Sequence, residues 1–445
     1  MWTDCLGNEV TLDSEASLPA LNDFVEGFIA SEARAVNILP AAAGDPSPIV
    51  QGCAAAVQMF AESGAASANA RPFVARALAR ESICTPRERR FIHAVAAWID
   101  GDLPRAIALH EEQAREHPRD LASVKLGQYH LFNQGDAPGM LRLALAALPA
   151  ASDVPYLHGM AAFGWEQCHL LGEAEAAARK AIAMRLKEPW AHHALAHVML
   201  TQGRIREGHA FMQDVSPTWT GLNSFMVTHN WWHQALFALE LGRDDEALGL
   251  YDRRVWGVTK EYAQDQVNAV SLLARLELAG VDVGERWQDV ADYLMSRLHD
   301  HVLPFLDMHF LYGLAHAGRA EADALMRNIE RHAASAPAHA RAAWQRVCLP
   351  ASRGLLAHAR GDYAKAVDEL GQAVPRLAEI GGSHAQRDLF AQVRLDALIR
   401  SGQLIGAQQL LQQQLNGQPE SARLRRQAAA VYNALGLGSV ATSFR

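Results

Sequence analysis

Twenty histidines are spread over a chain of 445 residues. Imidazole binds metals and moves protons near neutral pH, so the spacing of these residues is the first thing to read. Two segments carry histidines four residues apart: His193 with His197, and His229 with His233, the latter enclosing Trp231 and Trp232. On a helix that spacing sets two rings side by side and lets both serve one divalent transition metal. Neither pair has a Glu next to its first histidine, so the general base of the zinc-protease motif is missing. A carboxylate would come from elsewhere, with Asp265 or Asp307 as sources. A lone histidine on a half-buried helix face is usually satisfied by a carbonyl or carboxylate and does nothing more, so the case for a site rests on register.

That register comes from a recurring pattern: an apolar run ends at a Gly, a few small or polar residues follow, and an Ala-rich amphipathic run begins. The glycines are Gly101, Gly135, Gly172, Gly203, Gly242, Gly280, Gly318, Gly361 and Gly402, at spacings of 34, 37, 31, 39, 38, 38, 43 and 41. These periods are the size of tetratricopeptide or HEAT helix-turn-helix units. Five of the glycines carry Ala five positions later, at Ala106, Ala177, Ala247, Ala366 and Ala407. The Gly is expected to end one helix in the left-handed conformation, and the Ala to let the next helix approach closely. No run shows sustained strand-like alternation, so the expected fold is all-α: a tetratricopeptide-like helical-repeat solenoid of about nine units, curved around a central groove or pocket. Residues 1–90 keep weaker phase, with an Ala-rich helical stretch from Gly52 to Arg80, and read as an N-terminal helical cap; 91–445 read as the array. The alternative is a globular helical bundle without true repeats.

Counting back from the glycines, His197 and His193 lie six and ten positions before Gly203, His233 and His229 nine and thirteen before Gly242, and His309 nine before Gly318. These offsets fall on one stripe of a 3.6-residue helix, so five histidines are expected to project from the same face of successive first helices, the face that lines the groove of such arrays. Trp232 sits beside the stripe, where it can wall a pocket, and Asp265 lies about a turn further along the intervening repeat. Trp231 reads as core packing, His192 as a cap or solvent-facing residue, and His299 and His301 as loop residues.

The chain has 41 Lys+Arg against 49 Asp+Glu, a formal charge of −8. Net acidity disfavours nucleic acid and anionic membrane surfaces as partners. Five dispersed cysteines, none in a C-x-x-C spacing, fit reduced thiols in a cytoplasmic setting. Asp4, Glu9, Asp13 and Glu15 stand where a secretory signal would need a basic end and an apolar core. No apolar run reaches the roughly 18 residues of a membrane span. There is no phosphate-cradling G-x-x-x-x-G-K-[ST], and the run Gly381 to Ala385 lacks the final glycine of a nucleophile elbow.

The segments His193 to Val198, His229 to His233, Tyr251 with Asp252, Asp265 with Gln266, Asp307 to Phe310 and Ile380 to Phe390 (IGGSHAQRDLF) together resemble the tetratricopeptide repeat protein 38 family over nearly the whole chain. The resemblance implies a helical-repeat architecture and a cytoplasmic setting. It also implies that His193, His197, His229, His233, His309, His384, Gln386, Arg387 and Asp388 belong to the family pattern; it implies no activity. Read for its own chemistry, the last segment is a helix start capped by Ser383, with His384 and Arg387 or Asp388 on one face, where Arg387 could grip a carboxylate or phosphate.

Three functions follow as expectations. The favoured one is a concave His/Asp/Trp/Arg pocket for a small polar, anionic ligand: Trp232, Asp265, His384, Arg387 and Asp388 bind, and His193, His197, His229, His233 and His309 are candidates for acid/base catalysis. The second is a scaffold binding a partner-protein peptide in the groove. The third is a metal-dependent enzyme with His193, His197, His229 and His233 as ligands. The apolar ends of such an array also leave room for a homodimer.

Overall fold

The computed structural model describes residues 2–444. Apart from a two-residue hairpin, Trp2–Thr3 with Glu9–Val10, the described residues form helices joined by short turns. The chain is an array of tetratricopeptide-like helical hairpins. Nine run from Pro86–Ile99 with Leu103–Glu116 to His384–Arg400 with Leu404–Gly417.

Local chemistry explains the turns. Gly101, Gly135 and Gly361 adopt φ of 78°, 73° and 79°, a conformation that costs a side-chain-bearing residue. The Asp that follows each glycine caps the next helix: Asp102, Asp136 and Asp362 accept from the backbone N–H groups of Arg105, Gly139 and Lys365. One turn departs from expectation. Gly172 lies inside the helix Leu171–Met184, and the left-handed residue is His169, at φ 59°. The turns at Gly101, Gly135, His169 and Gly203 are therefore evenly spaced by 34 residues. The expected small contact at Ala177 moves with them: Ala174, five after His169, is fully buried, whereas Ala177 is only half-buried. After Gly203 the repeats lengthen because extra turns follow their second helices, among them the π-helical Tyr251–Val255 and the 3-10 segments Ser216–Thr218 and Val374–Ile380.

The stretch Gly52 to Arg80 is two helices, Pro48–Met59 and Ala66–Leu78. They are parted at Glu62, whose φ of 47° ends the helical path. By contacts the chain divides into two compact units, residues 1–195 with 217–226 and residues 196–216 with 227–445. In the first unit, Phe28, Phe60, Trp98 and Tyr129 pack in sequence, tilted or edge to face, with centroid spacings of 5.2, 5.3 and 5.5 Å. In the second, Trp232, Tyr251, Tyr312, Phe310 and Phe390 are buried in one continuous apolar core. No described helix is long and apolar enough to cross a membrane.

The second unit closes on itself. Its C-terminal turn returns to the hairpins near its start: the buried Arg423 guanidinium pairs with Glu240 at 2.9 Å, Arg426 with Asp244 at 2.8 Å, and Gln418 donates to the Leu200 carbonyl at 3.0 Å. Ser421 both caps the last long helix and donates to Glu240. The inner faces of the first helices are consequently sealed from water.

Candidate functional site

The stripe histidines lie on the first helices Pro189–Thr201, Ser224–Glu240 and Pro304–His316, while Ala263–Leu278 carries Asp265 and His384–Arg400 carries His384. Ala263–Leu278 and Pro304–His316 are buried on nearly all sides. His197, His229, His233 and His309 are at most 1% exposed.

In the second unit His197 and His233 meet ring to ring at 4.5 Å, and His229 and His233 at 4.8 Å. Each of the three offers a ring nitrogen within 4.8 Å of the others. His384, half-buried at the start of its helix, lies 6.1 Å from His197. Trp232 is fully buried and stacks on His229 at 5.0 Å. His193, one turn before His197, lies on the first-unit side of the division. There it packs against Phe163 and Trp190 at 5.0 and 4.9 Å.

A polar chain orients His229. Asp265 accepts from the Thr228 hydroxyl at 2.9 Å, that hydroxyl oxygen accepts from the Asn268 amide at 3.3 Å, and the Asn268 carbonyl oxygen faces Nδ1 of His229 at 2.9 Å. Burial holds His229 neutral, its pKa pulled down to about 3. His309 is held likewise: its Nδ1 donates to the Phe305 carbonyl at 2.8 Å, and burial lowers its pKa to about 4, with a smaller contribution from Arg275. Its Nε2 is buried with no hydrogen-bond partner among the described residues.

Arg275 was not expected. It is 2% exposed, donates to the Ser271 carbonyl and hydroxyl and, at 2.6 Å, to the Ala385 carbonyl, and lies 5.2 Å above the Trp232 ring. No described carboxylate approaches it within 4.0 Å. Burial lowers its pKa to about 10 against a partial counter-effect of Asp388. Nothing in the sequence separates this arginine from an exposed one except its place five residues before Gly280, inside an otherwise apolar run.

The other expected residues take different roles. Ser383 and Gln386 form a reciprocal helix cap, while Arg387 donates to the carbonyls of Gly381 and Gly382 in its own turn. Asp388 accepts from Gln392. Asp307 hydrogen-bonds His301 at 2.6 Å, so it is committed to that loop. His192 is fully buried and accepts from Trp219 Nε1 at 3.1 Å, neither capping nor facing solvent; Trp219 needs an acceptor inside the core. His299 and His301 lie in a loop as expected.

No protein-family model matches the chain. Among solved structures it is similar to a human IFIT1 dimer with PPP-AAAA (12% identity, 98% of this chain and 94% of that chain, TM-score 0.45) and to the P58(IPK) TPR domain (10% identity, 72% and 99%, TM-score 0.21). A complex of Naa15/Naa10 bound to HypK-THB also aligns, at 12% identity over 96% of this chain and 68% of that one, with a TM-score of 0.26.

Proposed function

We propose that this chain is a small-molecule-binding helical-repeat protein of the tetratricopeptide repeat protein 38 family, and that the interior of its second unit takes an anionic ligand, a carboxylate or a phosphate. Arg275 carries the reading. It is a buried guanidinium with no carboxylate in contact, fixed by two carbonyls and a hydroxyl, and it keeps donor capacity for a planar or tetrahedral anion. A cation removed from water in this way is costly unless a partner compensates it. An anion supplied as ligand does so with a gain that the sealed surroundings enlarge.

His309 is a neutral imidazole whose Nδ1 hydrogen is committed to the Phe305 carbonyl, and burial keeps His229 neutral as well. They, His197 and His233 are the candidate acid/base groups of the second unit; His193 belongs to the first unit. Trp232, Asp265 and His384 belong to this reading as wall, anchor and neighbour; Asp388 acts electrostatically on Arg275, and Arg387 contacts the carbonyls at its own helix start. Sealing of the unit through Glu240 and Arg423 favours a pocket over an open groove for a partner peptide.

The test is a thermal-shift and calorimetric titration with inorganic phosphate, acetate and succinate. At least one of these anions is expected to raise the melting temperature of the wild-type chain but not of Arg275→Gln. An equal response in both proteins, or none in the wild type, rejects the reading.

A further inference from the structure

We propose that His197, His229 and His233 form a three-histidine site for a divalent transition metal of the zinc class. Arg275, which carries the anion reading, is not a ligand here; the two readings share Trp232, Asp265 and the three histidines, which are candidate acid/base groups in the anion reading.

Three observations converge. The three ring nitrogens already lie within 4.8 Å of one another on buried side chains. Metal–nitrogen bonds of about 2.0–2.1 Å set tetrahedral ligands roughly 3.4 Å apart, so nitrogens up to 4.8 Å apart need to draw in by at most about 1.4 Å, within reach of side-chain rotations. His229 also has an outer partner: its Nδ1 lies 2.9 Å from the Asn268 side-chain oxygen, and Asn268 is in turn held through Thr228 by Asp265. Such outer partners are what metal-bound histidines characteristically have. Finally, the donor set is all imidazole. It selects zinc, copper, nickel or iron(II) over magnesium and calcium, which prefer oxygen.

Three protein ligands leave a coordination position open, the arrangement of a site that binds or activates a further small molecule. Asp265 acts three hydrogen bonds from His229, as a positioning residue.

The experiment uses the full-length chain without an affinity tag, stripped with chelator and titrated with Zn²⁺ against a chromogenic competitor, with elemental analysis of the product. One equivalent is expected. His197→Ala and His233→Ala are each expected to weaken it by at least about a hundredfold, and Asn268→Ala by about ten- to a hundredfold, with Arg275→Gln unchanged. Where an alanine variant does not fold, the Co²⁺-loaded wild type decides: visible bands of a four-coordinate, nitrogen-ligated ion support the site. No uptake by the wild type, uptake that survives His197→Ala and His233→Ala, or a six-coordinate Co²⁺ spectrum overturns the proposal. Loss of the phosphate response in Arg275→Gln is read separately, so failure of one reading leaves the other standing.

Discussion

His197 and His233 sit 36 positions apart in the chain, yet their rings are 4.5 Å apart. The contact is made because each projects from the inner face of a first helix and the helices follow one another in the stack. Pairs of this kind, one repeat apart, are what a periodic sequence builds when one helix position is kept polar.

Sealing of the second unit depends on the buried Glu240–Arg423 pair. Arg423→Ala leaves a carboxylate buried against Ser421, and about 3–5 kcal/mol of stability should be lost. Replacing both partners, Glu240→Leu with Arg423→Met, should recover most of it. Denaturant unfolding of the single and double variants checks this; a double variant as unstable as Arg423→Ala would show that the charges themselves hold the closure.

Acid should destabilise the protein through histidines buried as neutral rings. Burial lowers the pKa values of His110, His192 and His309 to about 4 each, against about 6.5 in an unfolded chain. Between those values the unfolded state binds more protons. The stabilisation is therefore complete above pH 6.5 and is lost as pH falls toward 4, by up to roughly 3 kcal/mol per residue. Chemical denaturation at pH 7.5 and 5 should give a lower stability at pH 5, and His110→Gln, which removes the titrating ring beside Ser123, should shrink the difference.

Gly382 and Gly101 both have positive φ, 72° and 78°, but a Cβ at Gly382 would meet the Phe305 ring at 2.7 Å, while at Gly101 it would meet nothing. Gly101→Ala should cost about 1 kcal/mol, from the backbone alone. Gly382→Ala should cost roughly 2–4 kcal/mol, as overpacking adds to the backbone term. Equal melting temperatures for the two variants would refute the packing argument.

Arg275→Lys is a sharper probe of the anion than removal of the charge. An ammonium keeps the charge but not the planar fork, so anion affinity should fall by about tenfold, with the fold retained. Calorimetry with the anion to which the wild type responds gives the answer; unchanged affinity would mean that charge alone, without geometry, holds the ligand.

The repeat was legible in the sequence because it is written in local chemistry. At Gly101, Gly135 and Gly361 a glycine ends one helix and the following aspartate caps the next, and a histidine stripe in constant register with such turns has to share a face. One local signal misled: at 169–172 the left-handed residue is a histidine, which the eye skips in favour of the nearby Gly172. The 34-residue spacing from Gly135 to His169 to Gly203 is the signal that finds it.

Tertiary structure alone decided which polar groups share the interior of the second unit. Asn268 reaches His229 across 39 residues, Arg275 reaches Ala385 across 110, and Arg423 reaches Glu240 across 183. No periodicity encodes these meetings, because they depend on how far the stack turns per repeat, and the inserted turns after Gly203 change that angle. The sequence determined the elements and the face each one offers, since both follow from backbone conformation and side-chain polarity within a few residues. The identity of the buried arginine, and the diversion of Arg387 and Asp307 to local partners, had to wait for packing, because burial is a property of neighbours that the chain brings from far away.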